Sequence, residues 1–192
     1  MEGFLVFALL PLGVCTAPES EFPPAWRFVE EEIRVDVSAS DFTVRGDYHF
    51  RGNPGADALA IQYPFPADTS LGEPECLDAY VQVGPSRKSL QVLEDHRCWR
   101  WVIEPPGVEC AVHIVYRQRM NGNHARYVLI SARQWGRPIE RAVIEVSVPS
   151  DGRYEITPGL TAVMSDATRR TYRGDFKSFF PQQDQLIQRT AK

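Results

Sequence analysis

The stretch from Ala125 to Val148, ARYVLISARQWGRPIERAVIEVSV, limits the fold more than any other part of the chain. Ala125, Tyr127 and Leu129 recur at period two, the run breaks at Gln134-Trp135-Gly136-Arg137-Pro138, and Ala142, Ile144, Val146 and Val148 restart it. Alternation of this kind is what a sheet with one buried face requires. The same pattern runs through Ile33 to Val37, Phe42 to Phe50, Leu59 to Tyr63, Leu77 to Val83, Trp99 to Ile103 and Val108 to Tyr116, with Gly and Pro clusters between. Strands at this spacing predict an all-β protein, an antiparallel β-sandwich built as one unit or as two packed β lobes. Asn121-Gly122 favours a tight hairpin that folds the strand ending near Arg119 back onto Tyr127 to Ile130. Gly46 falls in an apolar row, where a bulge or a close backbone approach is expected.

The ends read differently. Residues 1–17 contain an apolar run, Phe4 to Val14, followed by Cys15, Thr16 and Ala17, and read as a secretory signal even though Glu2 stands where a basic residue is usual. Leu12-Gly13-Val14-Cys15 also resembles a lipoprotein cleavage box with Cys15 as the lipidated residue, although Val14 is bulky for it. Residues 18–27 are a Pro- and Glu-rich lead-in, 28–181 form the sandwich, and 182–192 are a polar tail anchored by Leu186 and Ile187. No transmembrane helix is expected. Export would leave Cys76, Cys98 and Cys110, an odd number for an oxidising compartment, and spacing leaves their pairing open.

Charge divides unevenly along the chain. Residues 1–96 hold 6 Lys/Arg against 16 Asp/Glu, and residues 97–192 hold 15 against 9. Either the halves interleave and neutralise each other, or the second half presents a basic surface to an anionic envelope partner. Nucleic acid is disfavoured by the export signal.

Two resemblances follow. Phe50, Asn53, Pro54, Tyr63, Phe65 and Pro66 lie in a layout that resembles the vault-protein/inter-alpha-trypsin type of β domain. Ala125-Arg126-Tyr127, Trp135-Gly136-Arg137-Pro138, Asp175-Phe176, Phe180-Pro181 and Asp184 resemble a bacterial secreted domain of unknown function. They imply a β domain and no activity.

No catalytic residue, metal site or cofactor is expected. His49, His96, His113 and His124 lack ligand spacing, and no nucleophile elbow, zinc-protease helix or phosphate loop is present. His113 is expected to be hydrogen-bonded or solvated, and Asp36, Asp47, Asp78 and Glu145 should project from the solvent side of strands. Arg126, Trp135 and Arg137 are the candidate ligand-binding residues, an aromatic platform with cations beside it. Against that stands an architectural role, with Trp135 tucked over the end of the sandwich and Arg126 paired with a carboxylate from the acidic half. The function expected is therefore a secreted or envelope-associated, non-enzymatic β-sandwich with a structural or interaction role, its partner an envelope protein or polymer. A carbohydrate- or anionic-ligand-binding module is the alternative, and a carboxylate-dependent hydrolase ranks third.

Overall fold

The computed structural model describes residues 25–66, 70–90, 93–95, 98–104, 109–157 and 159–190. The signal, most of the lead-in, the Pro105-Pro106-Gly107 turn, His96 and Pro158 lie outside the described residues. Among the described residues fourteen strands follow one another: β1 (Trp26–Val37), β2 (Asp41–Gly52), β3 (Leu59–Pro64), β4 (Leu71–Val83), β5 (Ser86–Ser89), β6 (Leu93–Asp95), β7 (Cys98–Ile103), β8 (Glu109–Met120), β9 (His124–Tyr127), β10 (Ile139–Pro149), β11 (Arg153–Thr157), β12 (Thr161–Ser165), β13 (Arg169–Phe179) and β14 (Gln185–Thr190). A 3-10 turn, Ile130–Trp135, separates β9 from β10.

The alternating rows put one face of an eight-stranded sheet, ordered β12-β13-β10-β1-β2-β8-β4-β5, against two three-stranded sheets, β11-β14-β9 and β3-β7-β6. The chain is all-β. The inward rows of Ile33 and Val35, Phe42 and Val44, Val112 and Ile114, and Ile144, Val146 and Val148 join Leu59, Trp99, Trp101, Ala125, Tyr127 and Ile187 in one core. Phe65 packs edge-on against Trp99 at 4.6 Å and against Tyr116 at 5.1 Å, placing Tyr116 in that core as its alternation predicts. Edge-to-face contacts of this kind add to the large area each ring buries.

Five expectations need correction. The large sheet is mixed, because β1 and β10 pair parallel, with Ile33 opposite Ile144 and Val35 opposite Val146. Alternation identifies a buried face but carries no information on strand direction. Ala142, Val143 and Ile144 are consecutively buried, so β10 departs from strict alternation at its centre.

The Asn121-Gly122 hairpin does not form. β8 already has β2 on one edge and β4 on the other, so no edge is left for residues 127–130. Neither Asn121 nor Gly122 has the positive φ of a type I′ turn, and the chain crosses instead to the second layer, where β9 pairs with β14. Only residues 124–127 of the expected strand are extended, although Leu129 is buried as its spacing predicts.

The polar tail is not a tail. Gln185–Thr190 is a strand held between β11 and β9, with Gln185 and Ile187 fully buried. At the other end β1 starts at Trp26, two residues before the expected Phe28, with Trp26 Nε1 donating to Asp57 O at 2.9 Å.

Leu77 is exposed while Ala79 and Val81 are buried, because the β4–β8 register shifts between Cys76 and Asp78 and turns Leu77 outward. An extra residue in one strand breaks the period at that point. Gly46 makes the close approach expected of it: Tyr48 leans back across Gly46, and a Cβ there would overlap its ring and hydroxyl.

Candidate functional site

The three candidate ligand-binding residues have separate settings. Arg126 on β9 donates from Nε and Nη2 to Asp184 Oδ2 at 2.9 and 2.5 Å, while Asp184 Oδ1 accepts from Ile130 N at 3.1 Å. That carboxylate comes from the basic half, not the acidic one, and it ties β9 to the start of the 3-10 turn. Trp135 is half-buried and its ring lies 5.2 Å from Phe50 and 6.1 Å from Phe28. Gly136 then ends the turn in the left-handed region (φ 68°), with its N–H donating to Arg133 O at 2.9 Å. Arg137 is exposed beyond it. Trp135→Ala should cost about 2 kcal/mol in chemical denaturation, below the range for a fully buried Trp because part of the ring faces solvent.

The outer face of the large sheet carries the charge. Asp36 pairs with Arg45, Asp78 with Arg87 at 2.9 Å, and Glu145 with Arg173 at 3.2 Å. His113 Nδ1 lies 2.7 Å from Asp47 Oδ1 and its ring stacks on Tyr80, which in turn lies under the Arg87 guanidinium. The acidic and basic halves meet here: Glu30 with Arg141 at 2.8 Å, Glu75 with Arg117 at 2.7 Å, and Arg51 with Glu109 at 3.0 Å. Strand order, above all β1 beside β10 and β4 beside β8, brings these halves together. Exposed pairs of this sort contribute little stability each. Among the described residues no three His, Cys, Asp or Glu side chains are grouped to hold a metal. Cys98 and Cys110 lie in different sheets, and no disulfide joins Cys76, Cys98 and Cys110. Burial pushes the Cys110 thiol up to about 11, which keeps it an unreactive thiol at neutral pH.

Sequence reasoning missed the polar group inside the core. Tyr48 from the large sheet places its hydroxyl 2.8 Å from that of Tyr63 on β3 and 3.0 Å from that of Tyr127 on β9. One tyrosine from each of the three sheets therefore meets at a single point. Glu31 is the cross-strand partner of Tyr48 and is completely enclosed, with Oε1 lacking a hydrogen-bond partner. Desolvation raises its pKa from 4.5 to about 8, and burial holds all three tyrosines well above their usual value. Trp101 Nε1 and Gln185 Oε1 are also buried without partners; Gln185 stands beside Tyr127 in the β14–β9 register. Glu31 stands two residues before Ile33, so the inward row of Ile33 and Val35 runs through it, and the run Glu30-Glu31-Glu32 hides one interior residue between two outward ones.

The two edges of the large sheet differ. β5 reads Ser-Arg-Lys-Ser, whose charges discourage another strand from pairing. β12 reads Thr-Ala-Val-Met-Ser, is exposed along its length, and leaves Val163 and Met164 55% and 56% accessible.

No family model and no curated protein matches the chain. Among solved structures it is similar to a Legionella pneumophila protein named as a candidate nutrient-binding protein, with a TM-score of 0.61 at 18% identity over 86% of this chain and 67% of that one. An M1 zinc metallopeptidase from Deinococcus radiodurans is similar with a TM-score of 0.53 at 10% identity, over 85% of this chain and 42% of the peptidase. The chain thus spans less than half of the peptidase's length. These likenesses concern the fold. No helix among the described residues is long and apolar enough to cross a membrane.

Proposed function

We propose that this chain is a non-enzymatic interaction module of the cell envelope that binds a partner protein by accepting an extended segment along β12. The observation that carries this reading is the contrast between the edges: the charged β5 is guarded, whereas β12 offers an uncharged, exposed ladder. Unpaired backbone groups on such an edge supply main-chain hydrogen bonds, and Val163 and Met164 supply apolar contacts. Export by the N-terminal apolar run belongs to the same proposal, and sequencing the N-terminus of the mature chain from its native host tests it.

The edge is tested by photocrosslinking. A crosslinker at position 163 should capture one partner from the intact envelope, whereas one at position 87 should capture none. Val163→Lys with Met164→Glu should abolish co-purification while changing folding stability by less than about 0.5 kcal/mol, as surface substitutions do. Unchanged co-purification by that variant would sink the reading.

A second reading is a small carbohydrate or anionic ligand, supported by the name of the Legionella relative and by exposed Arg137 next to Trp135. Loss of ligand-array binding in Arg137→Ala, with the β12 variant unaffected, would favour it.

A further inference from the structure

We propose that Glu31 is a proton-operated latch at the junction of the three sheets: neutral, it lets the two small sheets stay docked on the large one through the tyrosine hydroxyls, and ionised, it loosens them. The geometry supplies the reason. Glu31 sits on the inner row of β1, between Tyr48 of β2 and Ala142 of β10 by register. The groups facing it from the second layer are Tyr63 of β3 and Tyr127 of β9, both neutral hydroxyls.

The nearest cation on the neighbouring strand, Arg141, points to the outer face, where Glu30 and Asp175 hold it at 2.8 and 3.0 Å. Among the described residues Glu31 has no ion-pair partner, and its Oε1 makes no hydrogen bond. A carboxylate charge there would have no counter-charge and little water, which is among the most costly arrangements a core can hold. The small sheets are the parts free to respond. β3 and β9 are each the edge of a separate three-stranded sheet, and the Tyr48 hydroxyl is hydrogen-bonded to both.

The sign follows from the two states of the chain. In the unfolded chain Glu31 ionises near 4.5, whereas in the fold it keeps its proton to about 8. Between these values folding takes up a proton, so the stability this group allows is full below about 4.5, falls as pH rises toward about 8, and levels off above it. The group works in the opposite sense to Asp175 on the outer face, whose carboxyl is held below its usual value by the hydrogen bond with Arg141.

The test compares the full chain with Glu31→Gln by urea denaturation from pH 5 to 9, following tryptophan fluorescence. The wild-type midpoint should fall over this range relative to the variant, and the difference between the two should close toward low pH. A constant difference across the range would overturn the proposal.

Should Glu31→Gln fail to fold, hydrogen exchange of the wild-type chain decides alone. After correction for the intrinsic pH dependence, amides of β3 and β9 should lose protection as pH passes about 8 while those of β1 and β10 keep theirs. Protection unchanged in β3 and β9, or lost equally in all four strands, would overturn it too.

Discussion

Alanine at Gly46 is expected to lower folding stability by about 3 kcal/mol, the upper part of the usual range for overpacking a core. The backbone there has an ordinary extended conformation, so the effect is steric. A Cβ would occupy the space that the Tyr48 ring and hydroxyl now fill, and Tyr48 cannot retreat because its hydroxyl joins Tyr63 and Tyr127. A double-mutant cycle separates this from a general intolerance of the strand. In a Tyr48→Ala background the Gly46→Ala substitution should cost almost nothing, whereas an equal cost in both backgrounds would show that Tyr48 is not what Gly46 accommodates. Gly174 repeats the device, with Phe176 leaning back across it, so an aromatic two residues after an in-strand glycine recurs in this sheet.

The second large effect is expected at Asp184. Its side chain is only 10% exposed and satisfies three donors: Arg126 Nε and Nη2 and the Ile130 amide. Asp184→Ala leaves the guanidinium without its carboxylate and the first amide of the 3-10 turn without an acceptor. A loss of about 3 kcal/mol follows, at the low end for breaking a buried pair because Arg126 is itself 42% exposed. Asp184→Asn keeps an acceptor for Ile130 but loses the charge, and should cost roughly half as much. Denaturation measures both. Hydrogen exchange should also show β9 and β14 opening before the large sheet in the alanine variant. Equal protection of the two layers would refute the view that Asp184 fastens the small sheet.

How much of this could be read beforehand depends on what each signal encodes. Period two placed Ile33, Val44, Val112, Ile144 and Trp99 inside, since the pleat alone decides which face a residue takes. It failed at Leu77, where a register shift inserts one residue; Glu31 keeps the inward phase of Ile33, but a run of three glutamates disguises it. His113 was legible as hydrogen-bonded because a polar residue on the outer row of a central strand has polar neighbours, here Asp47. Trp135 carried two readings that no local pattern could separate, and its contacts with Phe28 and Phe50 come from residues about a hundred positions away.

By itself the sequence determined the all-β class, most strand positions, the inward rows and the turns where Gly or Pro fixes the backbone, because each depends on residues within a few positions of one another. Only the tertiary structure decided that β1 and β10 run parallel, that β9 takes β14 in preference to β8, and that a polar C-terminal segment is an interior strand. Those outcomes rest on competition among many possible strand partners for a limited number of edges, and the tyrosine junction around Glu31 exists only once three sheets, each from distant segments, have been brought to one place.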